Sequence, residues 1–170
     1  ERLQHRRRRR KTAADRIGDL AALLQQPALG DEGVLAMVCD STNVFEEGES
    51  GSEESVREGL IQLIASQRQA VAVTTFASNV ARVKSVIEAA ELAGRAVCLV
   101  GRSMHRITDA AKAVGILPPT LEFVDEADAS QIPAEHILYL CTGSQGEPRA
   151  ALTRIARQDH RNISLHQGDT

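Results

Sequence analysis

Four clusters of small polar residues hold the chemistry this chain can offer. They are Asp40, Ser41, Thr42 and Asn43; Ala77, Ser78 and Asn79; Gly101, Arg102 and Ser103; and Thr142, Gly143, Ser144, Gln145, Gly146, Glu147 and Pro148. Hydroxyls, amides and glycine backbone N–H groups are the donors that receive a phosphate or another anion. Arg102 adds a cation that suits a phosphate. Asp40 stands first in its turn, where a carboxylate can move a proton, bind a cation or orient a histidine. Each group also has a plainer use. Asn79 and Ser103 suit helix N-caps, Asp40 an Asx turn, Gly143 and Gly146 a tight turn, and Arg102 a solvated surface charge. The fourth cluster is neither a Gly-Lys-Ser/Thr phosphate loop nor a GxGxxG dinucleotide fingerprint.

Each cluster closes an apolar run, at 34–39, 70–76, 96–100 and 137–141. Unbroken apolar runs of this length read as strands buried on both faces of a parallel sheet. In such sheets ligands bind just beyond the carboxyl ends of the strands, where these clusters fall. Helices are expected over 52–66 (Val56, Leu60, Leu63 and Ile64 inward), 79–93 (stopped by Gly94), 103–114 (stopped by Gly115) and 149–157, the last with Pro148 near its first turn. Short strands are expected at 121–124 and 162–166, with 125–132 as a connector, and a short helix over 15–24. The pattern predicts an α/β fold: a doubly wound, mostly parallel sheet with helices on both faces.

Composition bounds the rest. The chain has 170 residues, 42% of them hydrophobic, which is enough for one core. With aromatics at 2%, that core must be built from Val, Leu, Ile and Ala. No apolar stretch reaches the length of a membrane span. Cys39, Cys98 and Cys141 lie at or near strand ends without CxxC spacing, and read as buried thiols of a reduced cytoplasm. The five histidines, His160 among them, show neither HxH nor HExxH spacing, so no metal site is expected in this chain. Residues 1–11 hold seven of the 20 basic residues, whereas the remainder carries 13 basic against 22 acidic residues. An acidic body of this kind suits a few placed contacts to an anion better than a broad basic stripe. Residues 1–28 are expected to form a basic segment apart from an α/β domain at 29–170.

Taken in order, the Asp40–Asn43 turn, the Phe76–Asn79 turn, the Gly101–Met104 turn, the Thr142–Pro148 turn and the closing Gly168, Asp169 and Thr170 resemble the β-CASP domain of bacterial ribonuclease J. That is a family of metallo-β-lactamase-fold RNases, and the resemblance covers about residues 29–170. It implies 5′-to-3′ exonuclease and endonuclease activity on RNA with two zinc ions. The zinc ions are held mainly by a metallo-β-lactamase domain whose H-x-H-x-D-H motif is absent here. The family's Gly-Asp-Phe/Trp-Lys segment and H-x-S-G-H motif are absent as well.

By that resemblance Asp40 is the catalytic acid beside the metals, and Ser78 and Asn79 line a pocket for the RNA 5′-monophosphate. Gly101, Arg102 and Ser103, with Thr142, Gly143, Ser144, Gln145 and Gly146, face the RNA cleft. The implied partners are 5′-monophosphorylated RNA, the missing metallo-β-lactamase domain and further copies in a homo-oligomer of the full-length protein, with no membrane. The expected cofactor is zinc in the full-length enzyme and none in this chain, which is expected to be a truncated domain, inactive alone and cytoplasmic. Two other readings stand beside this one: a flavodoxin-like domain binding free nucleotides or phosphometabolites, and a degenerate dimerisation module.

Overall fold

A computed structural model describes Phe45, Glu47 and residues 52–170. The chain divides into two compact units, Glu1–Gly48 and Glu49–Thr170, and the fold below is that of the second. The expected strand at 34–39, the helix at 15–24, the basic segment, Cys39 and Asp40 lie outside the described residues.

Three parallel strands form the sheet: β1 (Val71–Thr74), β2 (Ala96–Val100) and β3 (Ile137–Cys141). Their order is β1-β3-β2, so the last strand is central. Register pairs Ala72 and Cys98 with Tyr139, and Val73 and Leu99 with Leu140. All five residues of β3 are buried, which is why its sequence is apolar without alternation. Side chains alternate between the faces. One face (Cys98, Val100, Ile137, Tyr139 and Cys141) packs against Ala151 and Ile155 of α4 (Ala151–Ala156) and against Ile163. The opposite face, with Leu138 and Leu140, is covered by α2 (Val80–Leu92), which packs on β2 and β3 and against α1 (Glu53–Ser66). A further helix, α3 (Arg102–Ala113), packs on β2. The chain therefore has the expected α/β architecture, with a parallel sheet between helices.

Two side-chain devices set the helices. Ser52 caps α1 by accepting the Ser55 N–H at 3.1 Å. Glu53 then grips Arg82 of α2 in a two-point pair, at 2.7 and 3.2 Å. The Arg82 hydrogen bond is the main reason the Glu53 carboxyl is held below its ordinary pKa.

Cys98 and Cys141 are fully buried. Burial pushes both thiols from the ordinary 9.0 up to about 12, helped at Cys98 by the charges of Glu126 and Asp125. An acid whose pKa is raised in the folded state keeps its proton there longer than in the unfolded chain. The stability these two buried thiols contribute is therefore fully present below pH 9.0 and is lost progressively as pH rises toward about 12. Unfolding midpoints in urea should fall steadily above pH 9.0, and Cys98→Ala should flatten that fall. A wild-type midpoint unchanged between pH 8 and 11 would contradict the assignment.

Several expected elements shift. The run at 121–124 keeps one pairing, a parallel bridge of Val124 with Cys98. The expected strand at 162–166 is not a strand. Ile163 and Leu165 alternate because they pack one-sidedly on the core; the backbone makes no ladder there and turns through His166–Asp169 instead. The pairing comes later: the Thr170 N–H donates to Ala70 O at 3.0 Å, and Thr170 O accepts the Ala72 N–H at 2.7 Å. The last helix starts at Ala151 rather than 149, because the Ala150 N–H first closes a turn on Glu147 O at 3.0 Å. Leu63, expected inward, is 54% exposed.

Candidate functional site

The turns after β1, β2 and β3 stand at the same end of the sheet because the strands are parallel and adjacent. After β1 the chain runs through exposed Phe76 and Ser78 to Asn79. Asn79 is the N-cap of α2: its Oδ1 accepts the Arg82 N–H at 3.1 Å. The amide NH2 is the part of Asn79 left to donate elsewhere. The Thr75 N–H donates to Cys141 O at 3.2 Å, which ties this turn to the end of β3.

After β2 the cap of α3 is Gly101, at φ 103 and ψ 141, not Ser103. Arg102 and Ser103 are the first two residues of the helix, and both are exposed. A Cβ on Gly101 would lie 3.6 Å from both Thr142 Oγ1 and Ala151 Cβ, so the second and third turns lie side by side.

After β3 the Thr142–Gly146 turn folds back on the start of α4. Thr142 Oγ1 accepts the Ala151 N–H at 3.3 Å, and Thr142 O accepts the Leu152 N–H at 3.0 Å. Gly143 is buried, whereas Ser144, Gln145 and Gly146 are exposed. The Gln145 N–H is held by Glu147 Oε2 at 3.1 Å. Ten of the eleven site residues singled out from the sequence thus fall on three neighbouring turns, and the eleventh, Asp40, lies outside the described residues.

Two acid–base groups near these turns are not apparent from sequence. Glu126 accepts the Gly101 N–H on Oε1 at 3.2 Å, and its Oε2 lies 3.9 Å from His160 Nε2. Nothing local in the sequence links 101, 126 and 160; the Glu126 carboxylate does. Among the described residues, no group of three or more His, Cys, Asp or Glu side chains could hold a metal ion. Two clefts of about 420 and 410 Å³ are found elsewhere, one over Tyr139 and Asp169 and one between α2 and the Pro118–Pro119 turn.

The family model for the beta-CASP domain of ribonuclease J matches residues 68–170, which takes in all three described turns. The chain belongs to the ribonuclease J β-CASP family. Ribonuclease J of Sinorhizobium meliloti is 51% identical over 142 residues, 84% of this chain and 25% of that protein. Ribonuclease J of Corynebacterium glutamicum is 43% identical over 152 residues, 89% of this chain and 21% of that protein. Ribonuclease J2 of Bacillus subtilis is 32% identical over 155 residues, 91% and 27% respectively. The chain spans about a quarter of the length of these ribonuclease J relatives.

Proposed function

We propose that this chain is the β-CASP portion of a zinc-dependent, ribonuclease J-like RNase that processes and degrades RNA from its 5′ end and internally. Its own share of that work is to bind the RNA 5′-monophosphate. The observation that carries the reading is the convergence of the Phe76–Asn79, Gly101–Ser103 and Thr142–Gly146 turns at the carboxyl end of one parallel sheet. Ser78, the Asn79 amide, Arg102 and Ser103 are exposed donors there, and a compact set of donors suits one terminal phosphate on an otherwise acidic domain. Asp40 is assigned the role of an acid beside the metals. The described residues do not fit a zinc site, so the metal and the hydrolysis are assigned to ligands outside them. The chain alone is then a binding piece, which works in the cytoplasm within a larger homo-oligomeric enzyme.

The test is fluorescence anisotropy of the chain with a short RNA carrying either a 5′-monophosphate or a 5′-hydroxyl. The monophosphate should bind about tenfold tighter, and Ser78→Ala and Arg102→Ala should each remove most of that preference. Asn79→Ala should in addition destabilise the fold by about 1 kcal/mol through loss of the α2 cap. Equal binding of the two RNAs, tighter binding of free nucleotide, or zinc-dependent RNA cleavage by the isolated chain would each overturn the proposal.

A further inference from the structure

Gly101 is the N-cap of α3 in the second turn, and its backbone N–H is held from outside the turn. The segment that reaches it is itself fixed to β2 and α3. Lys112 of α3 donates to Leu121 O and sits 4.7 Å over the Phe123 ring. Val124 then bridges to Cys98, and its N–H donates to Val97 O at 2.9 Å. Two residues on, Glu126 delivers Oε1 to the Gly101 N–H at 3.2 Å. From the far side comes His160, whose side chain is only 6% exposed. Its Nδ1 accepts the Ile163 N–H at 3.3 Å, so in the neutral ring the proton is on Nε2, the nitrogen that faces Glu126 Oε2 at 3.9 Å. At that distance the histidine supplies a polar backing rather than a direct hydrogen bond.

We infer that Glu126, backed by His160, is a positioning residue. It fixes the backbone of the Gly101 turn so that Arg102 and Ser103 present their donors to the 5′-phosphate of RNA. This deepens the proposed function and rests on it. A carboxylate there stabilises the start of α3 but counts against anion binding, because it occupies a donor and puts a negative charge where an anion is to bind. A group that only repelled the ligand would be improved by removal. A group that positions the turn would not.

Those alternatives separate on two variants. Glu126→Gln removes the charge but keeps a carbonyl to accept the Gly101 N–H; Glu126→Ala removes both. The preference of the chain for 5′-monophosphorylated over 5′-hydroxyl RNA is measured for each, together with the thermal midpoint and the Gly101 amide proton shift by NMR. The expected result is an upfield move of the Gly101 amide and about a tenfold loss of 5′-phosphate preference in Glu126→Ala, with Glu126→Gln retaining most of both. His160→Ala should give a smaller loss of the same kind. An equal or stronger preference in Glu126→Ala overturns the inference, as does a lowered midpoint with the preference unchanged. If the wild type shows no 5′-phosphate preference, the phosphate reading fails, and the inference falls with it. A Gly101 amide that still moves in Glu126→Ala would then mark Glu126 as a structural group only.

Discussion

Arg95→Met is expected to destabilise the fold by about 3 kcal/mol or more, lowering the melting temperature by on the order of 10 °C. Arg95 sits one residue before β2 and is 5% exposed. Its guanidinium donates to four backbone carbonyls. Nη1 reaches Gln69 O at 2.9 Å, Ile137 O at 3.1 Å and Ala134 O at 3.2 Å, and Nη2 reaches Gln67 O at 2.7 Å. Gln67 and Gln69 lead into β1, and Ala134 and Ile137 open β3, so one side chain ties together the starts of all three strands. Burial disfavours the charged form and lowers the Arg95 pKa, a shift that Glu135 opposes. Methionine keeps much of the stem packing but leaves those carbonyls without their donor. Each unpaired buried carbonyl costs roughly 1–3 kcal/mol, less where water re-enters. Arg95→Lys should recover only part of the loss, since an ammonium cannot span four acceptors with the geometry of a planar fork. A chemical denaturation series on the three proteins decides this; a Met variant within 1 kcal/mol of wild type would sink it.

That residue also marks where sequence reading stops. The strands at 96–100 and 137–141 and the inward face of α2 are legible because burial on both faces, or along one helical stripe, writes itself as an apolar pattern. The Asn79 cap is legible because capping is local. Arg95, Glu126 and His160 act across long stretches of chain, through contacts at 26 to 42 residues in the case of Arg95. A lone arginine between Gly94 and an apolar strand carries no local sign of its carbonyl partners. The misreading of 162–166 has the opposite origin. Ile163 and Leu165 alternate as strand residues do, yet their periodicity reports a buried side and not a hydrogen-bonded ladder. The three turns are legible, because small polar residues after apolar runs are a local signal; the contacts that hold those turns are not.

Gly143→Ala should cost about 2–5 kcal/mol, and Gly146→Ala only about 1 kcal/mol, although both glycines belong to the same turn and both have positive φ. Gly146 lies at φ +70, in the left-handed helical region, with nothing within 4 Å of where a Cβ would stand. An alanine there suffers only the local backbone penalty. Gly143 lies at φ +127, which side chains strongly disfavour, and a Cβ there would be 2.8 Å from Leu152 Cβ and 3.2 Å from Ala150 Cβ. Neither neighbour can swing aside, since both contacts are to Cβ atoms fixed to the backbone that opens α4. The substitution must therefore push α4 away from the turn, breaking the Thr142 bonds to the Ala151 and Leu152 N–H groups. The same movement would part Thr142 and Ala151 from Gly101, so the second turn should loosen with the third. Thermal unfolding of the two variants side by side tests the contrast, with the Gly101 amide signal as a local reporter. Equal losses in the two proteins would mean that backbone conformation alone, and not the close approach to α4, requires glycine at 143.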